Sequence, residues 1–334
     1  MKKTPYILLL PLVLLFFGSC LEEIDDFEFN KTSRITINAL VTNKKGPYTV
    51  HVSKSSNNIQ DFNQKDRRIL PAYFKHFGNS SSLSNTALTG PPYEPVTQAI
   101  VTLSDDQGNE EILEPWQGSL PPSQQEYWPT YQTFADLGFY RTRQFQGIPG
   151  RTYILTVQYE GQVYQATATM PLPAPAIDEM TLEDKLVPFT MGHNTYQVPT
   201  ISFQEPQDQK NAYLFFGRIL YNDERRLFFP HESDFWTSIA ESFVVIDDQL
   251  LQPSVVDLRF EIPNLVILRD NRFLLEMHTL TPPALAYYQA LKNQDKNLGG
   301  VFNSAPASPP SNFSNGALGF FRVSSVSSII TTKK

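Results

Sequence analysis

Alternation of polar and apolar residues between turn signals is the feature that most constrains the fold of this sequence. The clearest example is the segment 151–170, whose first strand would place Tyr153, Leu155 and Val157 on one face. Glu160-Gly161 follows as a turn, and alternation resumes on a return strand. A period of two is that of a half-buried strand, so the segment predicts a β-hairpin.

A second hairpin is predicted near the N-terminus, where alternating segments 34–41 and 48–53 flank the turn residues 43–47. Further strands are predicted at residues 99–103 and 110–113. Short strands separated by turns, with almost no helical periodicity, favour a mainly β fold. We therefore expect an immunoglobulin-like β-sandwich over residues 34–170.

Two long loops interrupt this predicted sandwich, at residues 55–98 and 115–137. The first is rich in Ser, Asn, Gly and Pro, and the second is rich in Pro and aromatic residues. A loop of this length on a compact domain is usually functional or disordered.

Closely spaced prolines at 171–176 predict a stiff linker to a second domain at residues 177–330. That domain is also predicted to be β-rich, with strands near 200–203, 212–221, 226–229, 243–246, 255–261, 265–268, 273–279 and 319–326. One helix is predicted near residues 282–296. Thr281 is a suitable N-cap, Pro282 suits the first turn, and Gly299-Gly300 would end the helix.

Cys20 is the only cysteine of the 334 residues, and it follows a segment with the layout of a secretory signal. Lys2 and Lys3 supply positive charge, residues 6–17 are apolar, and Gly18-Ser19 precede the cysteine. About a dozen apolar residues are too few for a membrane span, which needs ~20. We interpret residues 1–19 as a lipoprotein signal peptide and Cys20 as the lipidation site, where a diacylglycerol would be attached. The alternative is an ordinary signal peptide with an incidental cysteine.

Residues 20–33 are acidic at their start, with Glu22-Glu23 directly after Cys20. One interpretation is a solvated tether between lipid and fold. Another is a signal for export to the cell surface. We expect an outer-membrane protein on the extracellular face, with the periplasmic face as the alternative.

The charge of the chain argues against nucleic-acid binding. The 27 basic and 34 acidic residues leave −7, and without Lys2 and Lys3 the remaining 25 and 34 leave −9. An acidic protein is a poor partner for phosphate backbones or anionic head groups. With Cys20 acylated, the mature chain would contain no thiol for a disulfide, so its stability must come from core packing.

No motif in the sequence indicates catalysis, so we expect neither an enzyme nor a cofactor. The histidines are dispersed without metal-ligand spacing, at positions 51, 76, 193, 231 and 278. There is no GxSxG elbow and no phosphate loop. Each histidine is interpreted as a surface or strand residue. If the protein were a hydrolase, Glu232 and Asp234, near Trp236, would be the best available candidates for its catalytic carboxylates, although the case for them is weak.

Residues 105–110 resemble a calcium loop in composition, but they lack alternate acidic ligands and a distal glutamate. A hairpin turn explains them better, since Asp-Gly and Asn-Gly chemistry in turns requires no metal.

Two aromatic clusters could bind a ligand or a partner. The first lies in the 115–137 loop and comprises Trp116, Tyr127, Trp128, Tyr131 and Phe134. The second comprises Phe228, Phe229, Phe235 and Trp236. The alternative for both is that the aromatic rings pack over an edge of the fold. Of these residues, Trp116, Tyr127, Trp128 and Tyr131 are the candidates for a ligand or interface site.

Three segments together resemble a known family: residues 39–50, residues 147–153 with 168–171, and residues 311–326. The chain resembles the Bacteroidota lipoproteins classed as domain of unknown function 4249. The resemblance implies an outer-membrane lipoprotein, commonly encoded beside a TonB-dependent receptor. It implies no catalytic or binding residues.

We therefore expect a lipid-anchored surface protein that serves a TonB-dependent transporter as an accessory or substrate-capture partner. Large loops on a β scaffold would supply its binding surface. The alternative is a structural or adhesive surface protein without a small ligand.

Overall fold

A computed structural model describes residues 33–55, 67–68, 86–87, 93–120, 130–189, 192–206, 210–220, 244–247, 251, 253–260, 265, 267, 271–296 and 309–332. Ser33–Lys334 form one compact unit. Strands dominate the described residues and one α-helix of fifteen residues is present among them, so the prediction of a mainly β fold is confirmed.

The N-terminal part of the unit contains eleven described strands. They are β1 Ile35–Thr42, β2 Thr49–Ser55, β3 Arg67–Arg68, β4 Thr86–Ala87, β5 Tyr93–Pro95, β6 Ile100–Asp105, β7 Glu110–Ile112, β8 Glu114–Pro115, β9 Phe139–Arg141, β10 Thr152–Tyr159 and β11 Gln162–Thr169. Strands β3 and β4 pair with each other in parallel, and among the described strands neither has another partner.

The C-terminal part contains eight strands and the helix among its described residues. They are β12 Ile177–Phe189, β13 Gly192–Gln204, β14 Ala212–Leu220, β15 Val244–Asp247, β16 Ser254–Arg259, β17 Arg272–Thr279, helix α1 Pro282–Lys296, β18 Leu318–Ser324 and β19 Val326–Thr332. The predicted strand 226–229 lies outside the described residues. Of the predicted strand 265–268, only Leu265 and Ile267 are described, and neither belongs to a strand.

The first sheet has the strand order β18-β1-β2-β9-β8, with β5 also paired to β2. Strands β1 and β2 form the predicted hairpin, with Ile37 opposite Val52. Strand β18 pairs with β1 in parallel. Gly319 permits this close approach: its φ is +87°, and a Cβ there would lie 2.1 Å from the carbonyl oxygen of Ile37.

The second sheet has the order β11-β10-β6-β7. The predicted hairpin at residues 151–170 is present as β10 and β11, with Thr152 opposite Thr169 and Tyr159 opposite Gln162. The first two sheets share one apolar core, to which both contribute fully buried side chains such as Ile37, Val52, Leu103, Leu155 and Phe321. This arrangement resembles a sandwich, while the immunoglobulin-like class stays a prediction.

Two further sheets, β12-β13-β16 and β15-β14-β17-β19, enclose a second core. Its buried side chains include Ile201, Phe203, Phe215 and Phe273. Long strands β12 and β13 form an antiparallel pair in which Met180 lies opposite Ile201.

The predicted helix is confirmed at Pro282–Lys296. The hydroxyl of Thr281 accepts a hydrogen bond from the backbone N–H of Ala284 at 3.4 Å, as expected of an N-cap. Ala284 is buried against Leu214 and Phe320. No helix in the described part of the chain is long and apolar enough to cross a membrane.

The end of the chain connects the two cores. Strand β18 belongs to the first sheet and β19 to the sheet of β14 and β17, with only Ser325 between them. Residues 318–324, which we assigned to the C-terminal domain, therefore complete a sheet of the N-terminal one. The division at residues 171–176 stays a prediction.

Candidate functional site

The aromatic residues of the 115–137 loop form a small core of their own. Trp116 is only 2% exposed and its indole stacks on Phe134 with ring centroids 3.9 Å apart. Tyr131 is half-buried against the same cluster. Trp116 is therefore packed inside the protein, and its role as a ligand or interface residue stays a prediction.

This loop is ordered locally by Asp136. Its carboxylate accepts hydrogen bonds from the backbone N–H groups of Gln132 and Thr133 at 2.9 and 2.8 Å. A short 3-10 helix, Ala135–Leu137, follows and ends at Gly138. The candidates Tyr127 and Trp128 lie outside the described residues, as does the second aromatic cluster with Glu232 and Asp234.

Two buried histidines lie on strands, as predicted for strand residues. His51 is stacked on Phe139 at 4.4 Å, and its Nε2 lies 3.1 Å from the carbonyl oxygen of Leu137. Burial lowers the pKa of His51 to about 4. The ring is therefore neutral at pH 7. Across the described ranges, no group of three or more His, Cys, Asp or Glu side chains could hold a metal ion.

Residues 105–110 contain the predicted hairpin turn, which connects the antiparallel strands β6 and β7. The carboxylate of Asp105 accepts hydrogen bonds from the backbone of Gln107 and Asn109, both at 3.0 Å, and from Arg151 Nη1 at 2.9 Å. Burial alone would raise the pKa of Asp105, but the hydrogen bonds from Asn109, Gln107 and Arg151 hold it below its usual value. Both carboxylate oxygens of Asp105 are thus occupied by hydrogen bonds within the protein.

A surface groove lies beside this hairpin. We call it the edge groove, bounded by the β6–β7 hairpin on one side and by residues 143–151 on the other. Its volume is about 610 Å³. Its charged lining residues are Asp105, Glu110, Glu111, Arg143 and Arg151.

Glu111 joins the two walls of the edge groove. Its carboxylate accepts hydrogen bonds from three consecutive backbone N–H groups, those of Arg143, Gln144 and Phe145, the last at 2.8 Å. Successive N–H groups that converge in this way form an anion-binding concavity. Here the protein fills that concavity with its own carboxylate, which positions the 143–145 segment beside β7.

A second group of charges lies where the two cores meet. We call it the junction cluster: Lys44, Glu276, His278 and Arg322. The Lys44 ammonium forms an ion pair with Glu276, whose side chain is 9% exposed. The Nε2 atom of His278 lies 3.8 Å from the second carboxylate oxygen, which is longer than a hydrogen bond.

Burial dominates the electrostatics of the junction cluster. It lowers the pKa of His278 to about 4. Burial alone would raise the pKa of Glu276, but interactions with His278 and the Lys44 ammonium hold it well below its usual range. The Cζ atom of Arg322 lies over the rings of Phe216 and Tyr288, 5.4 and 5.2 Å from their centroids. Such cation–π contacts help to compensate for its desolvation.

Backbone contacts reinforce this junction. The side chain of Asn43 accepts a hydrogen bond from the N–H of Val326 at 2.7 Å and donates to its carbonyl at 3.4 Å. The hydroxyl of Ser325 donates to the carbonyl of Pro171 at 2.6 Å. Asn43, directly after β1, thus fixes the position at which the chain passes from β18 to β19.

Sequence reasoning identified neither charged region. Lys44 and Glu276 are 232 positions apart, and Glu111 and Phe145 are 34 apart. No motif links residues at these separations. The acidic turn 105–110 was the one available signal for the edge groove, and its spacing argued only against calcium.

Comparison with known families identifies the group to which the chain belongs. A family model described as domain of unknown function DUF4249 matches residues 22–330. The chain belongs to the DUF4249 family. The match begins two residues after Cys20 and covers every described strand except the last two residues of β19, so the family resemblance seen in the sequence is confirmed. A search of curated proteins gave no match.

Proposed function

We propose that this DUF4249 protein is a lipid-anchored accessory protein of the outer membrane that binds a ligand or partner on behalf of a TonB-dependent transporter. A diacylglycerol on Cys20 would hold it at the membrane, on the extracellular face. The compact unit Ser33–Lys334 would present the binding surface.

The observation that carries this proposal is the short distance in sequence between Cys20 and the compact unit. Only residues 21–32 separate Cys20 from Ser33, where the unit begins. Twelve residues span at most ~40 Å when fully extended. A unit tethered this closely would be confined near the membrane plane, where its effective concentration towards an embedded partner is high.

The charges of the edge groove favour binding over catalysis. A general acid needs a carboxyl whose pKa is raised towards neutrality. Hydrogen bonds lower the pKa of Asp105 instead, and Glu111 is held by three backbone N–H groups. Both carboxylates therefore serve to shape the groove.

Substitution of the cysteine tests the anchor. In Cys20→Ser we expect the protein to be lost from the outer-membrane fraction while its fold is retained, because residue 20 would offer no thiol for a diacylglycerol. Fractionation of cells with immunodetection measures this, and circular dichroism of the released protein reports the fold. An unchanged amount of the variant in the outer-membrane fraction would contradict lipidation at Cys20.

Co-purification tests the partner. We expect affinity purification of the tagged, wild-type protein from detergent-solubilised outer membranes to recover a TonB-dependent receptor in stoichiometric amount. Recovery of the protein alone, repeatedly and under mild conditions, would favour the structural or adhesive alternative. Protease shaving of intact cells distinguishes the two faces, since full protection until lysis would place the protein on the periplasmic side.

A further inference from the structure

The outer edges of two strands around the first core are covered by the C-terminal part of the chain. At β11, the N–H of Ser314 donates to the carbonyl of Gln165 at 2.8 Å, and the N–H of Gln165 donates to the hydroxyl of Ser314 at 2.9 Å. Asn315 donates to the carbonyl of Val163 at 2.6 Å. These bonds occupy positions that an added strand would use.

The edge of β18 is covered in a similar way by a single side chain. The amide of Asn312 accepts a hydrogen bond from the N–H of Phe321 at 2.9 Å and donates to the carbonyl of the same residue at 2.7 Å. This pair of bonds imitates a paired strand. Covering exposed edges prevents unwanted strand pairing.

The outer edge of β7 is different. The N–H of Leu113 donates to Val101 and the N–H of Asp105 donates to Asn109, so these are the hydrogen-bonded pairs of the β6–β7 ladder. In an antiparallel ladder the pairs between them direct their backbone groups outwards. Glu110 and Ile112 occupy those positions, and among the described residues nothing bonds to their outward N–H and C=O groups.

This open edge forms one wall of the edge groove, whose volume is about 610 Å³. The opposite wall cannot supply N–H donors from residues 143–145, because Glu111 already accepts their hydrogen bonds. Exposed apolar side chains lie on both walls: Ile112 is 64% exposed and Ile148 is 40% exposed. An occupant would therefore form its backbone hydrogen bonds with β7 and its apolar contacts with both walls.

The charges of the groove indicate what the occupant carries. Asp105 is paired with Arg151, Arg143 is paired with Glu114, and Glu111 is held by backbone groups. Glu110 is exposed and forms no ion pair within the described part of the chain. A basic side chain is the complement of Glu110, since opposite charges on neighbouring strands attract.

We propose that the β7 edge binds an extended peptide segment of a partner protein, which adds a fifth strand to the sheet β11-β10-β6-β7. The segment would place a Lys or Arg beside Glu110 and an aliphatic side chain over Ile112. Main-chain bonds supply affinity and alternate side chains supply specificity in this mode of recognition. The proposal does not depend on the lipid anchor or on the identity of the transporter.

Fluorescence anisotropy with two synthetic peptides tests the proposal. Both are fluorescein-labelled nonapeptides of alternating Val and Thr, one with a central Lys and the other with a central Glu. We expect the full-length protein in detergent to bind the Lys peptide saturably and the Glu peptide several-fold more weakly. In Glu110→Lys we expect the preference to reverse, without loss of fold, because the side chain is exposed.

A proline at the edge tests the backbone bonds. Ile112→Pro removes an outward N–H, and we expect the dissociation constant of the Lys peptide to rise about tenfold. The matched control is Val163→Lys, an exposed aliphatic residue on the covered edge of β11, which we expect to leave binding unchanged. Thermal melts verify that both variants are folded.

Three results would overturn the proposal. One is the absence of saturable binding of either peptide to the folded protein. Another is binding that neither Glu110→Lys nor Ile112→Pro changes. The third is a dimer in sedimentation experiments that Ile112→Pro abolishes, since the occupant of the edge would then be a second copy of this chain.

Discussion

Two ion pairs, one at the edge groove and one in the junction cluster, lie in opposite surroundings. Arg143, which lines the edge groove, forms an ion pair with the neighbouring Glu114, and their side chains are 64% and 41% exposed. In the junction cluster, the Lys44–Glu276 pair has exposures of 33% and 9%, and His278 is buried beside it. Water screens the first pair and is largely excluded from the second.

This difference separates two roles for charge. An exposed ion pair contributes little to stability, typically ~0–1 kcal/mol, so we expect the Arg143–Glu114 pair to add little to the stability of the fold. A buried charge that loses its partner is strongly destabilising. We therefore expect the fold to depend on the Lys44–Glu276 ion pair of the junction cluster. Three predictions test this comparison. They begin with the buried junction cluster, where the largest effects are expected, and end with the exposed edge groove.

The largest effect should come from acid. The pKa of His278 is lowered to about 4, so the fold favours the neutral ring, and the unfolded chain takes up the proton first as the pH falls. The stabilisation is complete above the ordinary pKa of ~6.5 and is lost between there and pH ~4. At pH 5 we expect a loss of about 2 kcal/mol from His278, and His51 acts in the same direction.

Urea unfolding at pH 7.5 and pH 5.0 measures this loss. In His278→Gln the difference between the two pH values should shrink by about half, because only the contribution of His51 remains. Glu276 does not interfere at pH 5, since its stabilisation is lost only when the pH falls below its ordinary value. An unchanged difference in His278→Gln would mean that the junction cluster does not titrate with unfolding.

A smaller effect is expected from removing the partly exposed cation of the junction. Lys44→Ala would leave the Glu276 carboxylate buried without its ammonium partner. We expect a loss of about 2 kcal/mol, less than for a fully buried pair because water can reach the vacated position. Lys44→Met keeps the aliphatic stem and serves as the control for packing. Denaturant unfolding at pH 7.5 should show nearly equal losses for both variants.

The smallest effect is expected in the edge groove. Arg143→Ala removes an exposed ion pair, and the free energy of unfolding should change by less than ~0.5 kcal/mol. The backbone N–H of residue 143 is retained, so its hydrogen bond with Glu111 persists. A loss as large as that of Lys44→Ala would remove the distinction between the two regions.

The sequence predicted elements whose determinants are local. The hairpin of β10 and β11 follows from alternation around Glu160-Gly161, and helix α1 follows from Thr281, Pro282 and the apolar stripe after them. Burial of Trp116 was only one of two alternatives, because an aromatic residue in a loop has the same sequence signal whether it packs inwards or faces a ligand.

Long-range pairing was beyond sequence reasoning. Residues 319–326 were expected to form a closing strand, but nothing in their pattern indicated that β18 would pair in parallel with β1 or that the chain would then change sheets at Ser325. The edge groove depends on Glu111 meeting residues 143–145, which is a result of tertiary approach. The covering of strand edges by Asn312 and Ser314 was missed for the same reason.

The parallel pairing of β1 with β18 has a consequence for the synthesis of the protein. Arg34, just before β1, donates a hydrogen bond to the carbonyl of Gly316, 282 positions later. The first sheet therefore stays unfinished until almost the whole polypeptide has emerged, and long-range pairing of this kind slows folding. Until β18 is available, the edge of β1 that pairs with it would be unpaired. An unpaired strand edge can pair with another chain, so the incompletely folded protein would be prone to aggregation at β1.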